Sequence, residues 1–149
     1  MTPLILIETL ADELRKLLQD KTAMTEYQGE KAIQIFEHDI PRGDFENNAF
    51  YPCVIVTLKN IEDEGDNSYA TVALTIGTFS DDTGNDWRDM FSIAEKIRQF
   101  LLTHPFIGKR YRLTFPIAFE PVSPDEPEPF VFGIIAARYL IATPRIVGE

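Results

Sequence analysis

The chain has 149 residues, 44% of them apolar and 26% charged, a balance that points to one ordinary globular domain and away from disordered or fibrous classes. A net charge of −10 disfavours a nucleic-acid or anionic-membrane binder, because both need a basic face. The single cysteine, Cys53, excludes an intramolecular disulfide framework and a multi-cysteine zinc site. It sits in the apolar run "YPCVIVTL", where a buried, inert thiol is expected.

In chain order, Thr2-Pro3 offers a hydroxyl cap and a proline for the first helical position. Ile7, Leu10, Ala11, Leu14, Leu17 and Leu18 then recur at three- and four-residue spacing, predicting an amphipathic helix over 3–20. This start has no basic n-region and meets acids at Glu8, Asp12 and Glu13, so no signal peptide is expected. No apolar run approaches the roughly 18 residues of a membrane span, and a cytoplasmic location is the expectation. Ile33 and Ile35 alternate in a short strand-like piece, and Arg42-Gly43-Asp44 reads as a turn. "PCVIVTL" (52–58) and "YATVALTIGTF" (69–79) read as two strands of an antiparallel hairpin, joined by an acidic loop over 60–68.

"SDDTGNDWRDMFSIAEKIRQFL" runs from an acidic cluster into a second amphipathic helix, with Asp86 as its cap and Met90, Ile93, Ala94, Ile97 and Leu101 as its stripe. His104-Pro105 stops it. "YRLTFPIAF" alternates, placing Tyr111, Leu113, Phe115, Ile117 and Phe119 on one face, with Pro116 marking an edge or bulge. A proline- and acid-rich surface loop follows over 120–129. "FVFGIIAARYLIA" (130–142) reads as a central strand in which Gly133 marks a bulge. The expected fold is a single α+β domain over 1–149, a mostly antiparallel sheet of about four or five strands with two amphipathic helices packed on it.

Chemistry finds little footing in these residues. A calcium loop starting at Asp81 matches at Thr83 and Asn85, but its glycine position holds Asp86 and its last ligand position holds Ser92. The register starting at Asp82 fails at Gly84 and Trp87. Neither His38 nor His104 stands in a recognisable nucleophile arrangement, and there is no G-x-S-x-G elbow or phosphate-binding glycine loop. His104 falls in a last helical turn, where a ring donor meets free carbonyls. No catalytic, cofactor or metal residue is therefore assigned. The acidic loops 60–68, 80–86 and 120–129 serve solubility, docking to basic partner surfaces, or contact between subunits of an assembly.

The stretch "FYPCVIVTLKNIEDEGDNSYATVALTIGTFSDD" followed by "WRDMFSIAEKIRQFLLTHPFI" resembles the tail-terminator and tail-completion proteins of tailed bacteriophages. The shared features are the Pro52–Leu58 strand, the glycine-aromatic-acid step from Gly77 to Asp82, and the helix pattern Asp89, Ile93, Ile97, Leu101. A late strand with Phe132-Gly133 after an acidic, proline-rich lead completes the pattern, which spans roughly 3–143. The resemblance implies assembly: a ring, usually hexameric, at the head-proximal end of the tail tube, ending tube growth and joining tail to head. It implies as partners further copies of the chain, the tail tube protein and head–tail connector proteins, and as location the cytoplasm during assembly and then the virion tail. Under it Glu62, Asp63, Glu64 and Asp66 in loop 60–68 and Asp125, Glu126 and Glu128 in loop 120–129 would belong to docking arms ordered on binding, with Asp81 and Asp82 as further partner-interface residues. Lys109, Arg110 and Arg112 would form the complementary basic patch. Two other readings stay open: an interaction module outside phages, which would form no ring, and an enzyme, betrayed by His38 or His104 hydrogen-bonded to a buried carboxylate in a deep pocket.

Overall fold

A computed structural model describes residues 3–24, 30–39, 48–79, 86–122 and 130–142. Helix α1 spans Pro3–Leu18, with the proline at its first position, and buries Leu6, Ile7, Leu10, Ala11, Leu14 and Leu18. Strands β1 (Thr22–Met24) and β2 (Glu30–Ala32) form a small antiparallel pair. Then come β3 (Gln34–Glu37), a single 3-10 turn at Asn48–Phe50, β4 (Cys53–Asp63) and β5 (Ser68–Phe79). Helix α2 spans Asp86–Thr103 and is followed by β6 (Phe106–Ile107), β7 (Tyr111–Val122) and β8 (Phe130–Ile141).

The main sheet has six strands in the order β3-β4-β5-β8-β7-β6. It exceeds the four or five strands expected because β6, only two residues long, adds itself at one edge; the strand-like piece read at Ile33 and Ile35 is β3, at the other edge. All pairings are antiparallel except β3 with β4, which is parallel and covers only Cys53–Val56 of β4. Beyond Val56, no strand among the described residues pairs with the outer side of β4. Arg15 on α1 covers the β3 end, donating to the Ile35 carbonyl at 3.2 Å and pairing with Glu37 at 3.1 Å.

Both helices pack on one face of the sheet. Val54, Val56, Ala70, Val72, Leu74, Ile76, Ile135, Ala137 and Tyr139 meet the buried stripes of α1 and α2 there. The α2 stripe is the one its spacing predicts: Met90, Ile93, Ala94, Ile97 and Leu101 are all buried. On the opposite face, one end carries a second cluster of Tyr51, Cys53, Ile55 and Phe130, flanked by Phe36, Phe50, Phe79 and Phe132. The Tyr51 ring stacks on Phe130 at 3.9 Å between centroids and meets Phe132 edge-on. The rest of that face is uncovered by either helix, and Thr71, Ala73, Thr75, Ile134 and Ala136 lie half-buried along it.

Several local expectations change. Gly133 marks no bulge, since its neighbours stay in register with both β5 and β7. It is there for space: a Cβ would lie 2.5 Å from Met90 Sδ and 2.9 Å from the Phe119 ring. The irregularity falls in β7 instead. Three residues, Phe115 to Ile117, stand opposite Ala137 alone, between the pairs Thr114–Arg138 and Ala118–Ala136. That breaks the alternation at Pro116 and leaves Phe115 70% exposed, off the face shared by Leu113 and Phe119. The loop expected over 60–68 shortens to four residues, because β4 runs to Asp63 and β5 begins at Ser68. Likewise Glu120, Pro121 and Val122 belong to β7 rather than to the proline-rich loop. Residues 42–44, Asp81, Asp82, Asp125, Glu126 and Glu128 lie outside the described residues.

A Cβ at Gly77 would lie 2.6 Å from the Tyr51 ring and 3.0 Å from that of Phe132. Stacking holds the Tyr51 ring against Phe130, so it has little room to give. Gly77→Ala is expected to lower stability by about 1–3 kcal/mol, as overpacked cores do. A urea-unfolding midpoint equal to that of the parent chain would contradict this packing.

Candidate functional site

Four of the acids assigned to docking sit at the β4–β5 turn, where most are already engaged. Asp63 accepts a hydrogen bond from Ser68 Oγ at 2.6 Å, and Glu64 pairs with Arg138 at 2.9 Å. The Glu64 N–H donates to the Asn67 carbonyl at 2.8 Å, closing the turn around Gly65, whose φ of 77° is the left-handed value that glycine adopts without penalty. Arg138 also lies over the Tyr69 ring, with its guanidinium carbon 3.7 Å from the centroid. Asp66 also has an interaction partner. These contacts make the turn an ordered part of the sheet, not a loop awaiting a partner. Glu62 is exposed and has no ion-pair partner among the described residues.

The three basic candidates gather at the other side of the same sheet end. Arg110 N–H donates to the Ile107 carbonyl at 3.4 Å, and the two residues between, Gly108 and Lys109, have φ of 62° and 65°. Positive φ at both central positions is the requirement of a type I′ hairpin turn, which suits the twist of β6 and β7. Glycine meets it freely; Lys109 meets it at a steric cost. The turn delivers Arg110 and Arg112 to an open groove of about 430 Å³ whose other walls are Phe106, Leu140, Ile141 and Ala142. Phe106 is 61% exposed. Lys109 stays at the turn tip and does not line the groove. None of the three cations is in an ion pair among the described residues.

Strand register connects the two charged regions. Phe106 pairs with Arg112, Arg112 with Leu140, Leu140 with Tyr69, and Tyr69 with Glu62. Residues directly opposite one another share a face, so these five form a row across the sheet on the face away from the helices. The row is basic toward its β6 end, at Arg112, and acidic at its β4 end, at Glu62. Three strand spacings separate Arg112 from Glu62, about 14 Å, too far for an ion pair within the chain. Phe106, Tyr69, Leu140 and Arg138 carry no motif in the sequence, and only the register reveals them as parts of this strip.

The groups considered for catalysis lie elsewhere. His38 is exposed in a turn, with φ of 72°. His104 is also exposed; its ring stacks on Phe100 at 4.5 Å and its Nδ1 lies 3.1 Å from the Phe100 carbonyl oxygen, the helix-end role its position predicts. Cys53 is buried, and burial pushes its thiol up to about 12, with a hydrogen bond to the Gly77 backbone working weakly the other way. Burial also raises the Tyr139 phenol well above its ordinary value. Tyr139 Oη and Thr78 Oγ1 are buried without a hydrogen-bond partner among the described residues. No group of three or more His, Cys, Asp or Glu among the described residues is placed to hold a metal ion, and no helix there is long and apolar enough to cross a membrane.

No protein-family model matches the chain, and no curated protein matches it at a significant level.

Two measurements probe this geometry. Arg138→Ala removes an ion pair and a cation–π contact, and a loss of roughly 1–2 kcal/mol is expected. Glu64→Gln should cost less, under about 1 kcal/mol, because the pair is half-exposed. A double-mutant cycle with no coupling between the two positions would contradict the tethered turn. For Cys53 and Tyr139, the folded chain holds protons that the unfolded chain releases near ordinary values of 9.0 and 10.0. Stability from this source is intact below about pH 9 and falls as pH rises toward 12. A thiol reagent at pH 8 should label Cys53 only on unfolding; prompt labelling of the folded chain would contradict its burial.

Proposed function

We propose that the chain is a structural assembly protein of a phage or prophage tail, forming a ring at the head-proximal end of the tail tube that stops tube growth and joins tail to head. The observation that carries this reading is the charge-segregated row on the uncovered sheet face, taken together with the resemblance drawn from the sequence. A strip that is basic toward one end and acidic at the other cannot close an ion pair within one chain and is free to do so between two. It suits a contact in which one edge of a subunit meets the opposite edge of the next, the arrangement that closes into rings. The partners on this reading are further copies of the chain, the tail tube protein and the head–tail connector proteins. Asp81, Asp82, Asp125, Glu126 and Glu128 are then candidates for docking to tube or head rather than for contact between copies. The protein acts in the cytoplasm during assembly and ends in the virion tail.

The test is to mix purified protein with isolated tail tubes and view them by negative-stain microscopy. The reading predicts a uniform ring-shaped cap at one end of the tube and arrest of further tube growth. Tubes that stay uncapped and keep elongating would contradict it and favour an interaction module outside phages.

A further inference from the structure

We propose that the groove between Arg110 and Arg112 receives Glu62 of a second copy of this chain, making a head-to-tail contact that repeats around the assembly. The proposal deepens the ring reading by naming the surfaces that meet, and rests on it for ring closure. Four observations converge on this occupant. The groove holds two guanidinium groups with no ion pair among the described residues, in a chain whose net charge is −10. Among the acids of the β4–β5 turn, Asp63 and Glu64 are bound within the chain and Asp66 is also engaged, whereas Glu62 has no ion-pair partner there. Glu62 and Arg112 stand in one register row on one face and are its two charged residues, neither in an ion pair among the described residues. The strip reaches both outer sides of the sheet: no described strand pairs with β4 past Val56, and at the other side only Phe106 of β6 stands beyond Arg112.

Placed edge to edge, two copies bring the acidic end of one strip to the basic end of the next. Glu62 can then accept from both guanidinium groups, a charge-assisted contact stronger than a neutral one. The exposed Phe106 ring and Leu140 supply an apolar wall that lowers the local dielectric and reduces screening. The acceptor turn needs no reorganisation, because Arg138 and Ser68 already hold it. Preorganisation of this kind lowers the entropic cost of docking. The margins carry features that oppose indiscriminate strand pairing: a register shift between Leu58 and Asn60, charged residues on β4, and a very short β6. Side-chain charge therefore decides which edges meet.

The test uses the full chain with charges reversed. Glu62→Lys is one variant and Arg110→Glu with Arg112→Glu the other; all three side chains are exposed, so far-UV circular dichroism and the urea midpoint should be unchanged. Sedimentation velocity and native mass spectrometry then follow assembly across a wide concentration range. The wild-type chain is expected to form closed oligomers whose affinity falls with added salt. Each variant alone should associate roughly 10- to 100-fold more weakly, as reversed charges do at such contacts. Mixing the two variants in equal amounts should restore assembly, with the two alternating. Association of both variants at wild-type strength would overturn the contact while leaving the ring reading to the tube-capping test. A wild-type chain that stays monomeric throughout would also overturn it. Restored assembly that stops at dimers would overturn the head-to-tail geometry in favour of a two-fold contact.

Discussion

Strands β5 and β8 pair over twelve residues without a register shift, and the rest of the domain is arranged around that ladder. Two glycines sit next to each other in it, one serving each face. Gly133 opens the helix face to Met90 and Phe119, which seats α2 on the sheet. Gly77 opens the other face to Tyr51, which anchors the aromatic cluster over Cys53. Because the pairing has a period of two, a slip of one residue would turn both glycines to the wrong faces and bury the charged row in the core. The packing that fixes the fold therefore also fixes where the charges stand.

That constraint explains how a strongly acidic chain carries a basic groove. Among the described residues, three ion pairs lie along the helices, Arg15 with Asp12, Lys16 with Glu13 and Arg98 with Glu95, and such exposed pairs contribute little to stability. The row from Glu62 to Phe106 is different in kind. Its charges are separated by three strand spacings, and its middle is occupied by Leu140 and Tyr69. Arg138, lying on the same face, is neutralised by Glu64. What is left over is one carboxylate at one margin and two guanidinium groups at the other. The sheet acts as a rigid spacer that keeps them from finding each other within the chain.

Helical periodicity made α1 and α2 legible, because their apolar stripes recur every three or four residues regardless of what they pack on. The β-branched run after Pro52 was equally plain. Strand order was not, since β8 lies far along the chain from β5 and nothing local signals their pairing. The parallel addition of β3 was hidden for the same reason. At Pro116 the apparent alternation was misleading, because a bulge spends two extra residues and turns Phe115 outward. Gly133 announced itself as unusual, but a glycine needed for space and one needed for a bulge look alike in a sequence. The charged candidates were visible as residue types. Lys109, Arg110 and Arg112 stood out as the densest basic run, and Glu62 as one acid among several. That Glu62 alone of the turn acids faces Arg112 along one row depends on register, which composition and spacing do not encode.

Zero-length carbodiimide crosslinking of an equal mixture of light and heavy-isotope-labelled chains tests the account most directly, because it joins a carboxylate to a lysine only at contact distance and needs no mutation. Lys109 stands beside the groove at the tip of its turn, and Glu62 lies several strand spacings away within the same chain. The account predicts a Glu62–Lys109 crosslinked peptide that carries one light and one heavy half. Links confined to single chains, or links between copies that never include Glu62, would contradict it.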